Sequence, residues 1–159
     1  RNDTVSAVST PDHRPGQLGC LRCANRRLML GQRLIPDLFQ VNPKAMHDPA
    51  YAKESEDFSG VDLPNDKSLS RTHRITTFDR AEQINDIEMV YYLTDTNGNT
   101  ERLVQAFPFR YFSRYEVEHL LARCGFVVAE LFGNYDKSPL TNDSPEMIFV
   151  AEKCSEIDG

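Results

Sequence analysis

No Gly-x-Gly occurs anywhere in these 159 residues, and neither does Gly-x-Ser-x-Gly. The first absence removes the glycine-rich loop whose backbone approaches a bound nucleotide closely. The second removes the sharp strand-to-helix turn that exposes a serine nucleophile in many hydrolases. No apolar run approaches the ~20 residues needed to cross a bilayer, so no membrane partner is expected. No signal-peptide pattern opens the chain, whose first residue is Arg1 rather than Met, so a trimmed or incomplete product is expected. Basic residues are in the minority, 18 against 24 acidic, for a net charge of −6. A nucleic-acid backbone is therefore not an expected partner. Four cysteines (Cys20, Cys23, Cys124 and Cys154) do not make a disulfide scaffold in a chain this long. A reducing, cytoplasmic setting is the expectation.

What is present is enough for one packed domain, or a large piece of one: 40% of the residues are apolar. Residues 1–15 are polar, with a weak β-branched stretch at 4–9. From Gly16 to Met29, Leu18, Leu21, Ala24, Asn25 and Leu28 mark one face at steps of three and four. That spacing predicts a helix, with Arg22, Arg26 and Arg27 in water and Gly31 as its left-handed stop. "RLIPDLF" (33–39) reads as a short apolar strand with an unusual internal proline, Pro36. Residues 40–69 mix Pro43, Pro49, Gly60 and Pro64 with many charges and read as an irregular excursion with one helical turn. Segments 71–78, 83–94 and 100–109 read as three strands of an antiparallel meander, with Asn97-Gly98 as a hairpin signal.

The stretch "RYFSRYEVEHLLARCGFVVAELFGNYD" (110–136) is the most regular. Ser113 with Glu116 has the spacing of a capping box, and Phe112 with Val117 that of a hydrophobic staple. Val117, Leu120, Leu121 and Cys124 form an apolar stripe, and Gly125 closes the helix. "FVVAELF" (126–132) reads as a buried strand and "EMIFVAEK" (146–153) as the last one.

These segments resemble, in order and in wording, the second half of a class I S-adenosylmethionine-dependent methyltransferase. "CLRCANRRLMLGQRLIPDLF" is similar to the family's L-x-x-GG-R-L-hydrophobic-x-D-L-F, with Gln32 at the second glycine and Pro36 at an aliphatic position. Residues 110–136 resemble R-[YF]-[FY]-[ST]-x-x-E-[LIV]-x-x-LL-x-x-x-GF-x-[VL], continuing to G-[DN]-[YF]-D. "SPEMIFVAEK" is similar to the closing strand. The resemblance covers roughly residues 16 to 153. It implies an α+β chain, a partial Rossmann-like methyltransferase fold, with strand 146–153 lying antiparallel between 126–132 and 33–39. Residues 1–159 then form a single partial domain, with 70–111 as a substrate-covering insertion. The family's Asp/Glu-x-Gly-x-Gly-x-Gly loop has no counterpart here. S-adenosylmethionine is thus the parent family's cofactor, and this chain alone is expected to bind none.

The resemblance also implies candidate site residues. Asp37 and Phe39 end a strand at the family's cofactor-facing edge, where open α/β sheets bind ligands. Arg80, Gln83 and Arg110 lie at positions that face the substrate, and an arginine there can hold an anionic small-molecule acceptor by a two-pronged contact. The competing reading is an arginine paired with a nearby carboxylate on an exposed sheet. No catalytic residue is assigned. Cys20-x-x-Cys23 lacks a second ligand pair for zinc and lies inside a helical pattern, so it reads as small helix-packing residues and no metal is expected. His13, His47, His73 and His119 are scattered, and Glu54, Glu56 and Asp57 read as a solvated run. Two readings of function follow: the substrate-covering half of a methyltransferase, or a non-catalytic binding or self-assembly module derived from one. In either case 33–39, or the weak strand at 4–9 beside it, becomes a sheet edge, and a homodimer through the 33–39 edge, an exchanged N-terminal segment or the meander is expected.

Overall fold

A computed structural model describes residues 14–64 and 66–156. In chain order the elements are helix α1 (Arg14–Arg27), strands β1 (Arg33–Leu34) and β2 (Asp37–Phe39), two 3₁₀ turns (Pro43–Met46 and Pro49–Ala52), strands β3 (Ser55–Leu63), β4 (Lys67–Asp79), β5 (Ile84–Thr94) and β6 (Thr100–Arg110), helix α2 (Arg114–Arg123), and strands β7 (Phe126–Phe132) and β8 (Glu146–Lys153). They form two compact units. One holds the described residues up to Val41 and from Tyr111 onward; the other is Asn42–Arg110. The weak strand read at 4–9 lies outside the described residues.

Strand β8 is the axis of the first unit. It pairs antiparallel with β1 and β2 along one side and with β7 along the other. This is the inserted position expected for 146–153. Met147 through Ala151 are all buried, which is why this strand reads as an unbroken apolar run rather than an alternating one. Leu34, Phe112, Val117, Leu121, Cys124 and Phe126 pack with Met147, Phe149 and Ala151 as one core.

Several elements differ from expectation. The strand at 33–39 is two pieces, because Pro36 has no N–H for the ladder. Its carbonyl still accepts from Phe149 N at 2.9 Å, so the chain stays alongside β8 through the break. Strand β7 has Val127 and Glu130 exposed and is not a buried strand; among the described residues β8 is the one strand it pairs with, and Phe132 at its end bridges Pro139. Gly31 has φ 79° but does not close α1. It turns the chain into β1, donating from its N to Lys153 O at 2.9 Å, while α1 ends earlier, at Arg27. Ser113 has the extended backbone of an N-cap, yet its side chain makes no capping hydrogen bond. The staple residues Phe112 and Val117 are both in the core, so packing rather than a cap sets where α2 begins. Leu121 is the fully buried leucine of α2, and Leu120 only flanks the core.

The second unit is a four-stranded antiparallel sheet in the order β3-β4-β5-β6, one strand more than the meander expected. The extra strand, β3, comes from the segment read as irregular. Asn42 and Asp48 cap the two 3₁₀ turns before it, accepting from Lys44 N and Ala50 N. The β5–β6 turn closes on Asp95, whose carboxylate accepts from Asn97 N and Asn99 N, with Gly98 at φ 83°. Val90 and Ile75 are buried, and Asn85 donates to Ala45 O at 3.1 Å.

Candidate functional site

In the first unit, Asp37 opens β2 opposite Ile148, and Phe39 ends it opposite Glu146. Asp37 Oδ2 accepts a short hydrogen bond from the Tyr135 hydroxyl. Its other oxygen is buried and has no hydrogen-bond partner among the described residues. The bonded, negative Asp37 raises the Tyr135 pKa, because deprotonation would lose that bond and place two like charges together. Glu146 is also raised, first by burial and then by the charge of Asp37. Phe39 is exposed beside this group. The same end of the unit carries an open cleft of about 340 Å³, lined by Gln40, Phe112, Arg114, Leu140 and Met147 among others. Gln40 holds its far wall, donating from Nε2 to Thr141 O and Asn142 O at 3.0 and 3.1 Å.

Two glycines need their missing side chain. A Cβ on Gly125, at φ 77°, would lie 2.6 Å from Ser155 O and 2.7 Å from Asn25 Nδ2. One on Gly133 would run into the Ser144 hydroxyl. The chain's own atoms fill both spaces, so neither glycine offers its backbone to a ligand.

In the second unit, Arg80, Gln83 and Arg110 gather at one end of the sheet. Arg80 and Gln83 belong to the turn between β4 and β5, and Arg110 ends β6 opposite Ile84. Arg110 Nη2 donates to Gln83 Oε1 at 3.5 Å, Gln83 takes φ 59°, and Arg80 is exposed.

The sheet assembles two polar clusters around carboxylates read as a solvated run, one across β4, β5 and β6 and one across β3 and β4. Glu54 accepts from Tyr92 Oη (2.7 Å), Thr72 Oγ1 (2.9 Å) and Arg102 Nη2 (3.0 Å). Those bonds, Tyr92's first, lower its pKa to about 2. A depressed carboxylate stabilises the fold fully above its ordinary value, here 4.5, and loses that effect as the pH falls through about 2. Asp57 takes a 2.5 Å hydrogen bond with His73 Nδ1 and a 2.8 Å bond from Arg71 Nε, and Ser55 Oγ lies 3.4 Å from His73 Nε2. Asp57 and His73 are 16 positions apart. Only the strand at 55–63 brings them together, and nothing in its composition announces a strand. Cys20 and Cys23, read as helix-packing residues, are exposed on α1, away from the side set by Leu18, Leu21 and Ala24.

No protein-family model and no curated protein matches this sequence. Solved structures do match its fold. DesVI of Streptomyces venezuelae aligns with a TM-score of 0.64 at 14% identity, over 92% of this chain and 56% of that one. An S-adenosylmethionine-dependent methyltransferase from Clostridium acetobutylicum aligns with a TM-score of 0.63 at 9% identity, over 87% of this chain and 51% of its own. CalS10 of Micromonospora echinaspora, an amino pentose methyltransferase involved in calicheamicin biosynthesis, aligns with a TM-score of 0.60 at 17% identity, over 86% and 50%. The chain spans about half the length of each of these structures. Identities this low speak for architecture alone: the chain has the fold of a partial S-adenosylmethionine-dependent methyltransferase domain.

Proposed function

We propose that this chain supplies the acceptor-facing half of a methyltransferase, with the cofactor cradle contributed by residues outside it. The observation that carries this reading is the fold match, which runs through nearly all of this chain and only half of its counterparts. Asp37 and Phe39 are then the chain's contribution to the cofactor edge. Arg80, Gln83 and Arg110 hold an acceptor with an anionic group, through two guanidinium groups and an amide at one sheet end. What these residues do is bind and orient, which is most of what transfer between two aligned partners requires of a protein. Two of the matched structures are named as an amino pentose methyltransferase and a sugar N-methyltransferase, so an anionic amino sugar is the first acceptor class to try.

Calorimetric titration tests this division. S-adenosylmethionine is expected to show no micromolar affinity for the chain. Glucosamine 6-phosphate is expected to bind in the millimolar range, weakened about tenfold by Arg110→Ala through loss of a charge-assisted contact. Micromolar binding of S-adenosylmethionine would show that the cradle lies within this chain. Failure of the sugar phosphate to bind would favour the non-catalytic module. The chain is also proposed to form a homodimer through an open sheet edge, burying more than ~1,000 Å² in total. A monomer by light scattering at micromolar concentration would rule that out.

A further inference from the structure

Ser55, His73 and Asp57 stand in an order that neither cofactor nor acceptor binding requires. We infer that Ser55 is a base-activated nucleophile, and that this edge of the sheet accepts an acyl group from small activated esters. The inference stands apart from methyl transfer and does not depend on it.

The register places Ser55 directly opposite His73, so the two side chains share one face of the sheet. Asp57 is the extra residue of a bulge, between the pairs Glu56–Thr72 and Phe58–Arg71. Bulges re-aim a side chain, and here the carboxylate meets the imidazole at 2.5 Å. The nitrogens are used in the productive sense. Asp57, acting as acceptor, fixes the proton on Nδ1, which leaves the Nε2 lone pair toward the serine hydroxyl at 3.4 Å. That gap is long for a hydrogen bond, as nucleophile–base pairs without substrate often are.

Asp57 is itself held. Arg71 Nε donates to its second oxygen at 2.8 Å, and the guanidinium lies over the Phe58 ring, 5.0 Å from its centre. The carboxylate therefore has one oxygen for each partner and little freedom to rotate. Met89 is paired opposite His73 on its other side. The charged groups facing the imidazole from β3 and β4 are Asp57 and Arg71. The cluster is open to solutes, with 32% of the His73 side chain and 19% of the Asp57 side chain exposed.

The step is balanced within these groups. Ser55 Oγ bonds to the ester carbonyl carbon as its proton passes to His73 Nε2. The carbon–oxygen bond to the leaving group then breaks, Nε2 gives its proton to the leaving oxygen or to solvent, and the acyl group stays on Ser55. Water attacks that ester next, giving up a proton to Nε2, which passes it to Ser55 Oγ as the acyl–oxygen bond breaks and the acid is released. The site is open rather than enclosed, so charge development is stabilised less than in a buried pocket. Slow, near-stoichiometric acylation is therefore expected rather than fast turnover. Ser55 is the nucleophile, His73 its base, and Asp57 and Arg71 are positioning residues.

p-Nitrophenyl acetate tests the inference, with nitrophenolate release followed by absorbance and the acetyl group located by peptide mass mapping. Ser55 is expected to acetylate about tenfold or more faster than Ser59 and Ser70, because base assistance contributes ~10²–10⁴-fold. Ser59 and Ser70 are bonded to Glu56 and to Gly60 N instead and serve as internal controls. His73→Ala and Asp57→Asn should each slow Ser55 acetylation about a hundredfold, and Asp57→Glu should recover part of that loss. Circular dichroism melting identifies a variant that does not fold, and the wild-type labelling pattern then decides by itself. Acetyl groups confined to lysines, or spread equally over the three serines, would overturn the inference. So would a Ser55 rate that His73→Ala leaves unchanged in a folded variant.

Discussion

Leu121→Ala should destabilise the protein by about 3–5 kcal/mol, whereas Leu120→Ala, one position earlier, should cost about 1–2 kcal/mol. Both lie on the apolar side of α2 and are identical in chemistry. Leu121 is 0% exposed and is enclosed by the core that includes Phe126 and Phe149, whereas Leu120 only flanks it. Truncating Leu121 removes its burial energy and leaves a cavity whose walls belong to α2 and the central strand β8. Those walls cannot collapse without disturbing the β8 ladder. Truncating Leu120 leaves space that side chains or water can fill. Urea melts of the two variants give the comparison directly, and equal losses would refute this assignment of the buried side.

The helix was legible because three signals coincided. Helical periodicity, a staple and a closing glycine all pointed to 113–125, and only the cap failed to engage. Phe112 and Val117 still anchor the first turn in the core. The last strand was legible for a similar reason: a run such as "MIFVA" has nowhere to go but the middle of a sheet. Strand β7 looks the same in sequence, but as an outer strand it leaves Val127 exposed, and composition does not reveal how many neighbours a strand will have. Strand β3 was not legible. "SEDFSGVDL" is charged and exposed along most of its length, and it carries a glycine at φ 68°. It is a strand because β4 offers it a ladder, a tertiary effect that no local pattern encodes.

The candidate sites follow the same rule. Arg80, Gln83 and Arg110 were singled out through a family resemblance, and they share one sheet end because the β4–β5 turn and the end of β6 meet there. Asp37 was marked through the same resemblance, with Phe39, as the end of one strand at 33–39; the break at Pro36 makes it the opening of β2 instead. Its partner Tyr135 lies 98 positions away in a loop; it stands at the [YF] position of the family-like G-[DN]-[YF]-D, but that motif does not say which carboxylate the hydroxyl meets. Ser55, Asp57 and His73 had to be missed once β3 was missed, since two of the three stand on that strand.

Lys153→Met should cost about 3 kcal/mol, although it keeps the side chain's length and apolar stem. A lysine at the end of a strand would ordinarily reach water. This side chain is 1% exposed, and its ammonium donates to Asn25 O and Leu28 O, each at 2.9 Å, and to Glu156 at 2.8 Å. The two carbonyls belong to the last turn of α1 and the residue just beyond it. Asn25 O otherwise takes only a long bond from Leu28 N at 3.3 Å, and the negative end of the helix dipole also favours a cation there. This is the closure that Gly31 was expected to provide. Methionine would leave both carbonyls without that donor, one of them in a buried bond, and each such loss costs about 1–3 kcal/mol. Backbone bonds from Gly31 N to Lys153 O and from Lys153 N to Gln32 O remain, so the strand itself should hold. The expected result is a lower melting midpoint with early loss of α1 helicity. Glu156→Gln is the control. Its carboxylate is 72% exposed, so the ion pair alone should contribute at most about 1 kcal/mol. If chemical denaturation finds Lys153→Met no worse than Glu156→Gln, the ammonium does not close α1.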